Sequence, residues 1–407
     1  MELYYPLILD GATGTQLAKY GYNGDMSAEL WSLEHPDRCV AMQKEFIDHG
    51  TEMILSPTFC ANPVKLEENG VTGRTVEINA RLTALAREAA GDKAHVAGDI
   101  GPTGKFIVPL GDLTFEEMVD IYKEQVLGLE EGGVDMYVIE TMMTVAEARA
   151  ALLAVRSISD KPVYVTFTCD KNGKTMMGTD VTAALVIFQG MGVDAFGLNC
   201  SVGPDDMLTQ IRRLREFAEV PLVAKPNAGI PELIDGKTVY HCSPEEFTEC
   251  IDGFAEAGVM LFGGCCGSTE KHIKAIYDAT RNIRLVKPDP QHKELLKLAT
   301  EKKVYLLPVN TIINQEDIIP CSESLEDLLE LEADKTSPVT AIRISCEEEL
   351  KNLEEHQISI IKPLCIVCDD ESLLEKALRL YQGRAMYEGT LPKETLERLR
   401  KLYGLVY

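Results

Sequence analysis

Short apolar runs alternate with longer segments of helical periodicity through the first two-thirds of the chain. Each run is rich in Val, Ile, Leu or aromatic residues and is too short for a helix, so it predicts a buried strand. Eight such runs occur, at residues 6–10, 52–56, 95–99, 135–140, 162–167, 193–200, 221–225 and 258–265.

The segments between these runs carry helix signals. Residues 74–90 are alanine-rich with apolar positions at helical spacing, and Thr114 with Glu117 forms the pattern of a capping box. Thr144 precedes a run of good helix formers, and Ser243 precedes a proline at a first helical position. Strands that alternate with helices predict right-handed crossovers and a parallel sheet.

Eight strand–helix units in about 280 residues predict an α/β protein with a closed (β/α)8 TIM barrel, a fold of about 250 residues. A doubly wound open sheet is the alternative. That fold usually has a glycine fingerprint after its first strand, and Gly11-Ala12-Thr13-Gly14 imitates it only weakly.

A proline-rich break, Pro288-Asp289-Pro290, predicts a linker between two domains. We therefore expect a barrel over residues 1–287 and a small α/β domain over residues 291–407. In the second domain the pattern predicts strands at 304–309, 339–344 and 360–367, and helices at 325–331, 347–356, 371–381 and 393–403. Cys365 and Cys368 would point to opposite faces of a strand, which favours a structural role over a metal site.

The carboxyl ends of the predicted barrel strands are polar and flanked by glycine. In a TIM barrel the active site forms at these ends. Asp, Asn and Gly also suit turns, so one such end means little, whereas seven on one rim favour a pocket. They are Asp10-Gly11, residues 57–59, residues 99–102, Glu140-Thr141, Asn199-Cys200, residues 226–229 and Cys265-Cys266.

Three cysteines at two of these strand ends indicate a metal site. Cys265 and Cys266 are adjacent in a frame of glycines, where the chain can bend so that both face one ion, and Cys200 ends the sixth strand. Three protein ligands with a fourth position open are typical of catalytic zinc. The alternative, that these are merely small core residues, holds for many single cysteines.

Composition limits the classes of binding partner and the cellular compartment that we expect for this chain. The net charge is −25, with 65 acidic and 40 basic residues, which argues against nucleic acid and anionic membrane surfaces. No apolar run approaches the ~20 residues of a membrane span, and the N-terminus lacks the pattern of a signal peptide. Twelve cysteines without a small-domain disulfide pattern predict a reducing compartment, the cytoplasm.

Motifs at the strand ends resemble the homocysteine S-methyltransferase family, and within it the homocysteine-binding barrel of cobalamin-dependent methionine synthase. The resemblance runs over roughly residues 3–280, in the family's order. The matching segments are residues 8–15, 58–62, 98–104, 140–141, 197–201, 225–229 and 263–267.

The resemblance implies that the chain makes methionine by methylating the thiol of homocysteine, with zinc held by Cys200, Cys265 and Cys266. It implies that the amides near Gly11 and Ala12 bind the substrate carboxylate and that Glu140 binds its ammonium. Asp10 and Asn199 would shape the same pocket. Asn227 would fill the fourth zinc position when substrate is absent.

The resemblance also bears on the methyl donor. The segment 100–104 and Gly267 favour a methyl-corrinoid, either methylcobalamin or a separate corrinoid protein, over S-methylmethionine or a betaine. The chain has no Asp-x-His-x-x-Gly motif for cobalamin, so we expect the methyl group to arrive from elsewhere, with residues from about 291 onward helping to dock a corrinoid protein. A non-catalytic module that assembles with such a protein is a further alternative.

Overall fold

A computed structural model describes residues 4–234 and 237–407. Its first part is a closed barrel of eight parallel strands, which confirms the predicted TIM barrel and shows that the doubly wound alternative is wrong. The predicted strands agree with the observed ones to within three residues at each end. The eight barrel strands are β1 (Leu7–Ile8), β2 (Met53–Leu55), β3 (His95–Ile100), β4 (Met136–Met142), β5 (Val163–Phe167), β6 (Ala195–Asn199), β7 (Leu222–Lys225) and β10 (Val259–Phe262). Two further strands, β8 (Glu232–Ile234) and β9 (Lys237–Val239), lie outside the barrel sheet.

The barrel strands pair in the order β1-β10-β7-β6-β5-β4-β3-β2. A parallel bridge from Leu9 to Met53 joins β1 to β2, the two ends of this order, and closes the barrel. The Glu52 amide also donates to Ile8 O at 2.8 Å. Strands β8 and β9 form a separate antiparallel hairpin in the connection after β7. The pairing of β6 with β7 and of β7 with β10 brings the carboxyl ends of these three strands side by side.

The helices cover the outside of the barrel. Thr114 and Ser243 form the capping boxes of the helices that start at Phe115 and Pro244, and Thr144 caps the helix that starts at Val145. The helices are α1 (Thr13–Leu17), α2 (Ala28–Glu34), α3 (Pro36–Asp48), α4 (Pro63–Glu68), α5 (Thr75–Ala90), α6 (Phe115–Gly132), α7 (Val145–Ile158), α8 (Val181–Gly190), α9 (Pro204–Arg215), α10 (Pro244–Thr248), α11 (Ile251–Glu256) and α12 (Glu270–Thr280). No helix within the described residues is long and apolar enough to cross a membrane.

A second, smaller unit begins after a segment, 281–294, without helix or strand. An antiparallel hairpin precedes a parallel sheet whose four strands follow one another in chain order. The strands are β11 (Leu295–Ala299), β12 (Val304–Pro308), β13 (Ile318–Pro320), β14 (Thr340–Arg343), β15 (Leu364–Val367) and β16 (Met386–Glu388). The helices are α13 (Leu325–Ala333), α14 (Glu347–Glu355), α15 (Glu371–Leu380) and α16 (Lys393–Tyr403).

The sequence pattern found the four helices of this unit but missed β11, β13 and β16. Strand β13 consists of two isoleucines and Pro320, and strand β16 ends in Glu388, so neither forms a clear apolar run. The buried Cys365 and Cys368 lie in different apolar clusters, as expected of residues on opposite faces of a strand.

Residues beyond 291 pack directly on the barrel, and Arg149 of α7 donates to four acceptors in this unit. Its buried guanidinium donates to Leu378 O and Tyr381 O, both at 2.6 Å, and also to Arg379 O and the Gln382 side chain. These carbonyls lie at the end of α15, where a helix leaves acceptors unpaired. The apolar core is also continuous from the barrel helices into this unit. The second unit therefore shares a core with the barrel and packs against its helices.

Candidate active site

Three cysteine sulfurs meet at the carboxyl end of the barrel. The Sγ atoms of Cys200, Cys265 and Cys266 lie within 4.8 Å of one another, and those of Cys200 and Cys266 are 3.8 Å apart. Two sulfurs bound at about 2.3 Å to a tetrahedral zinc ion are about 3.8 Å apart. Among residues 4–234 and 237–407 this is the one group of three or more His, Cys, Asp or Glu side chains at metal-binding spacing. The donor set and its spacing fit zinc.

Main-chain hydrogen bonds between neighbouring strand ends hold the cysteines together. The Cys200 amide donates to Lys225 O at 3.1 Å, and the Cys265 amide donates to Pro226 O at 2.8 Å. Cys200 itself has a positive φ of 62°. A non-glycine residue in this region is strained, and such strain is common at functional sites.

The glycines around the cysteine pair are needed for close packing. A Cβ on Gly264 would lie 2.3 Å from Ser268 Oγ, and Ser268 Oγ donates to Cys265 O at 2.6 Å. Gly267 has a φ of +80°, and a Cβ there would lie 2.2 Å from Cγ of Tyr240. The bend that turns both cysteines towards one point therefore requires glycine at these positions.

The three thiols have very different pKa values. Hydrogen bonds from Cys200 and Cys265 lower the pKa of Cys266 to about 3. For Cys200, the hydrogen bond with Cys265 lowers the pKa, but the hydrogen bond with Cys266, burial and the Cys266 charge outweigh it and raise the pKa to about 11. Hydrogen bonding to both neighbours raises the pKa of Cys265. A cation that binds all three sulfurs must displace the protons of Cys200 and Cys265.

A buried charged cluster lies at the ends of β1, β3, β4 and β7. Lys225 Nζ is 3.1 Å from Glu140 Oε2 and 3.5 Å from Asp10 Oδ1. Asp99 belongs to the same buried group, and burial raises the pKa of Asp10 and of Asp99. The charges of Glu140 and Asp10 outweigh the effect of burial on Lys225 and raise its pKa. Three carboxyl groups thus share one ammonium.

Free main-chain amides lie beside these groups. Within the described residues the amides of Gly11 and Ala12 donate no hydrogen bond, and Ala12 is the N-cap of the short helix α1. The Asp10 carbonyl accepts from the Gly264 amide at 3.1 Å, which connects this turn to the cysteine loop. Unpaired amides at the start of a helix suit a carboxylate.

Residues 7–280 match the model of the family described as homocysteine S-methyltransferase. The chain belongs to the homocysteine S-methyltransferase family. It is 31% identical over 296 residues to the methionine synthase of Mycobacterium tuberculosis, covering 68% of this chain and 25% of that protein. The methionine synthase of Mycobacterium leprae is also 31% identical, over 288 residues, covering 66% of this chain and 24% of that protein. The chain thus spans about a quarter of the length of these curated relatives.

Solved structures support the fold of this homocysteine S-methyltransferase family member. The metallated and oxidized forms of the homocysteine methyltransferase MmuM from Escherichia coli each superpose with a TM-score of 0.57 at 22% identity. Each comparison covers 67% of this chain and 95% of MmuM. At this identity the similarity shows a shared barrel.

Two asparagines predicted from the family motifs have different surroundings. Asn199 is fully bonded: its Oδ1 accepts from the Thr141 amide and Thr166 Oγ1, both at 2.9 Å, and its Nδ2 donates to Thr141 Oγ1 at 2.7 Å. Asn227 is buried, and its Oδ1 accepts no hydrogen bond within the described residues. An unpaired buried carbonyl oxygen beside the cysteine strands is available to a cation.

Two residues of this family member's site were not predicted from the sequence. Tyr240 packs on Gly267, and burial together with the charge and hydrogen bond of Cys266 raises the pKa of its hydroxyl. Lys225 ends a predicted strand, so its position was known but its pairing with Glu140 was not. A lysine at the end of an apolar strand was the available signal, whereas Tyr240 lies beyond the hairpin, outside any strand end.

Proposed function

We propose that this chain methylates the thiol of homocysteine to give methionine, with zinc bound by Cys200, Cys265 and Cys266. The proposal rests on three sulfurs within 4.8 Å of one another, two of them 3.8 Å apart as in a tetrahedral zinc site, at the carboxyl end of a barrel from this family. When bound, zinc would supply a Lewis acid that favours and orients the substrate thiolate. The remaining binding and positioning would come from side chains and amides of the barrel.

Substrate recognition follows from the charged cluster and the free amides. The Gly11 and Ala12 amides would bind the carboxylate of homocysteine, Glu140 would bind its ammonium, and Asp10 would hold the pocket in shape. The acidic excess around Lys225 favours an added positive charge, because buried charges are normally paired. Asn199 would hold Thr141 and the strand ends in place, and Asn227 Oδ1 would coordinate zinc in the absence of substrate.

For the methyl donor we propose a methyl-corrinoid, either methylcobalamin or a separate corrinoid protein. The segment 100–104 and Gly267 support this choice, as does the similarity to methionine synthases. Gly267 lies against Tyr240, so the arginine that often follows the cysteine pair in betaine- and S-methylmethionine-using relatives would collide with that ring. Those donors remain the alternative for the enzyme.

We further propose that residues 1–287 form the catalytic barrel and that residues 291–407 help to dock the corrinoid protein. A non-catalytic module would have no need for an open metal position beside free amides and an acidic pocket. The contacts of Arg149 change how docking can be tested. Truncation before Pro288 would strip partners from this buried cation, so surface substitutions in the second unit are the cleaner perturbation.

The function is tested with zinc-loaded protein, homocysteine and one donor at a time: methylcobalamin, S-methylmethionine or glycine betaine. We expect methionine with methylcobalamin only. The Cys265→Ala variant should lose zinc and activity, whereas Cys346→Ala, an exposed cysteine in the second unit, should keep both. Full activity of Cys265→Ala would refute the zinc mechanism, and methionine from another donor would replace the corrinoid proposal.

A further inference from the structure

An apolar cavity of about 580 Å³ lies between the barrel and the second unit. The connection after β3, the start of α7, the turn of the β11–β12 hairpin and the segment before β15 form its walls. Its apolar lining includes Phe106, Ile107, Met118, Met177 and Ile360. Sites for small ligands are commonly about 300–1,000 Å³ and often lie at such interfaces. None of the cysteines or pocket carboxylates of the proposed active site lines this cavity.

A buried carboxylate forms part of this wall with one oxygen unpaired. Glu147 is only 5% exposed, and its Oε1 accepts from the Thr103 amide at 2.7 Å, Thr103 Oγ1 at 2.6 Å and the Tyr122 hydroxyl at 3.0 Å. Within the described residues its Oε2 accepts no hydrogen bond. Glu147 is the third residue of α7, but its side chain does not return to the amide of the N-cap Thr144. Its hydrogen bonds instead hold one oxygen in place and leave the other free.

A second carboxylate lines the same cavity. Glu301, in the turn of the β11–β12 hairpin, makes no side-chain hydrogen bond or ion pair within the described part of the chain, and burial raises its pKa. Lys105, Lys302 and Lys303 are exposed and also line the cavity. None of these lysines forms an ion pair with Glu147 or Glu301 across the described ranges. The charge of Lys302 acts on Glu301, whereas Glu147 is buried without an ion pair within the described residues. Buried carboxylates in proteins are normally paired, so the free oxygen of Glu147 lacks a positive partner.

We propose that this cavity binds a small organic cation, a molecule with an apolar body and a primary ammonium group. The ammonium would donate to Glu147 Oε2, Glu301 would add a second negative charge, and the apolar body would lie against Phe106, Met177 and Ile360. The site is separate from the homocysteine pocket and goes beyond the proposed methyl transfer. Because both units contribute walls, the ligand would also stabilise their packing.

The test uses the full chain and dansylcadaverine, which joins an aromatic body to a primary ammonium. N-dansyl-6-aminohexanoic acid is the control ligand, because it carries a carboxylate on a similar body. Fluorescence titration should show saturable binding of the amine at least about tenfold tighter than that of the acid, as expected for a charge-assisted hydrogen bond. Equal affinities for the two ligands, or no saturable binding of the amine, would overturn the proposal.

Variants locate the site. Glu147→Gln keeps an oxygen for Thr103 and Tyr122 but loses the negative charge, so we expect it to weaken amine binding about tenfold or more. Glu131→Gln, an exposed change on α6, should leave binding unchanged. Circular dichroism and zinc content establish that each variant is folded. Unchanged amine affinity in folded Glu147→Gln refutes the site, and if that variant does not fold, unchanged affinity in Glu301→Gln refutes it instead.

Discussion

Replacement of Arg149 by methionine tests whether the barrel and the second unit are one cooperative structure. The guanidinium is buried and donates to Leu378 O and Tyr381 O through two buried hydrogen bonds of 2.6 Å. Methionine has a similar length and no donor, so both carbonyls at the end of α15 would lose their partners. The other two acceptors, Arg379 O and the Gln382 side chain, are partly accessible and can bond to water.

The expected loss can be worked out from these contacts. A buried acceptor left without a partner costs about 1–3 kcal/mol, so two carbonyls cost about 2–6 kcal/mol. The change also removes an unpaired buried cation, whose burial lowers the pKa of Arg149 to about 10. Relief of that burial offsets part of the loss, and we expect the free energy of unfolding to fall by about 2–4 kcal/mol.

Urea unfolding measured by two probes checks this prediction. Trp31, the only tryptophan, is buried in the barrel and reports on it through fluorescence, whereas circular dichroism reports on the whole chain. Because the core is continuous, both transitions should coincide and shift together in Arg149→Met. Arg81→Met, an exposed arginine on α5, is the control and should change stability by less than about 1 kcal/mol. An Arg149→Met protein as stable as the control would refute the reasoning.

Three further predictions concern the active site. In steady-state kinetics, Glu140→Gln should raise KM for homocysteine about tenfold and lower kcat less, because the change removes ammonium binding. An unchanged KM with a much lower kcat would instead indicate that Glu140 takes part in the methyl-transfer step. Gly267→Ala should lose zinc, as measured by metal analysis, because the added Cβ would collide with Tyr240. Gly24→Ala is the control: Gly24 has a φ of +84° and open space around it, so this change should strain only the backbone and leave zinc binding intact. Zinc affinity, measured by chelator competition, should rise from pH 6.5 to 8.5, because Cys200, with a pKa of about 11, must lose its proton on binding; a flat profile would contradict the assigned protonation.

Elements with a local pattern could be predicted from the sequence. Buried parallel strands form nearly continuous apolar runs, so the barrel strands were visible without any knowledge of their neighbours. The capping boxes at Thr114 and Ser243 were visible for the same reason, since cap and partner are three residues apart. Strands β13 and β16 were missed because β13 has only two isoleucines before Pro320 and β16 ends in Glu388, so neither forms a clear apolar run.

The cysteine cluster could be predicted from the sequence only in part. Cys265 and Cys266 are neighbours in sequence, and Cys200 could be joined to them because carboxyl ends of barrel strands share one rim. The 3.8 Å spacing of two of the sulfurs depends on main-chain bonds between β6, β7 and β10, which only the closed barrel supplies. The packing of Tyr240 on Gly267 likewise depends on how the connection after β7 returns over the cysteine loop.

By itself the sequence determined the barrel, the order of its strands and the residues at their carboxyl ends, because apolar periodicity and strand-end chemistry are local properties of the chain. Only the tertiary structure decided which of these residues meet. Lys225 pairs with Glu140 across the barrel interior, Arg149 binds the end of α15, and Glu147 is left with a free oxygen in a cavity between two units. These contacts join residues far apart in the chain, and their geometry depends on strand register and on the packing of helices, which no local pattern records.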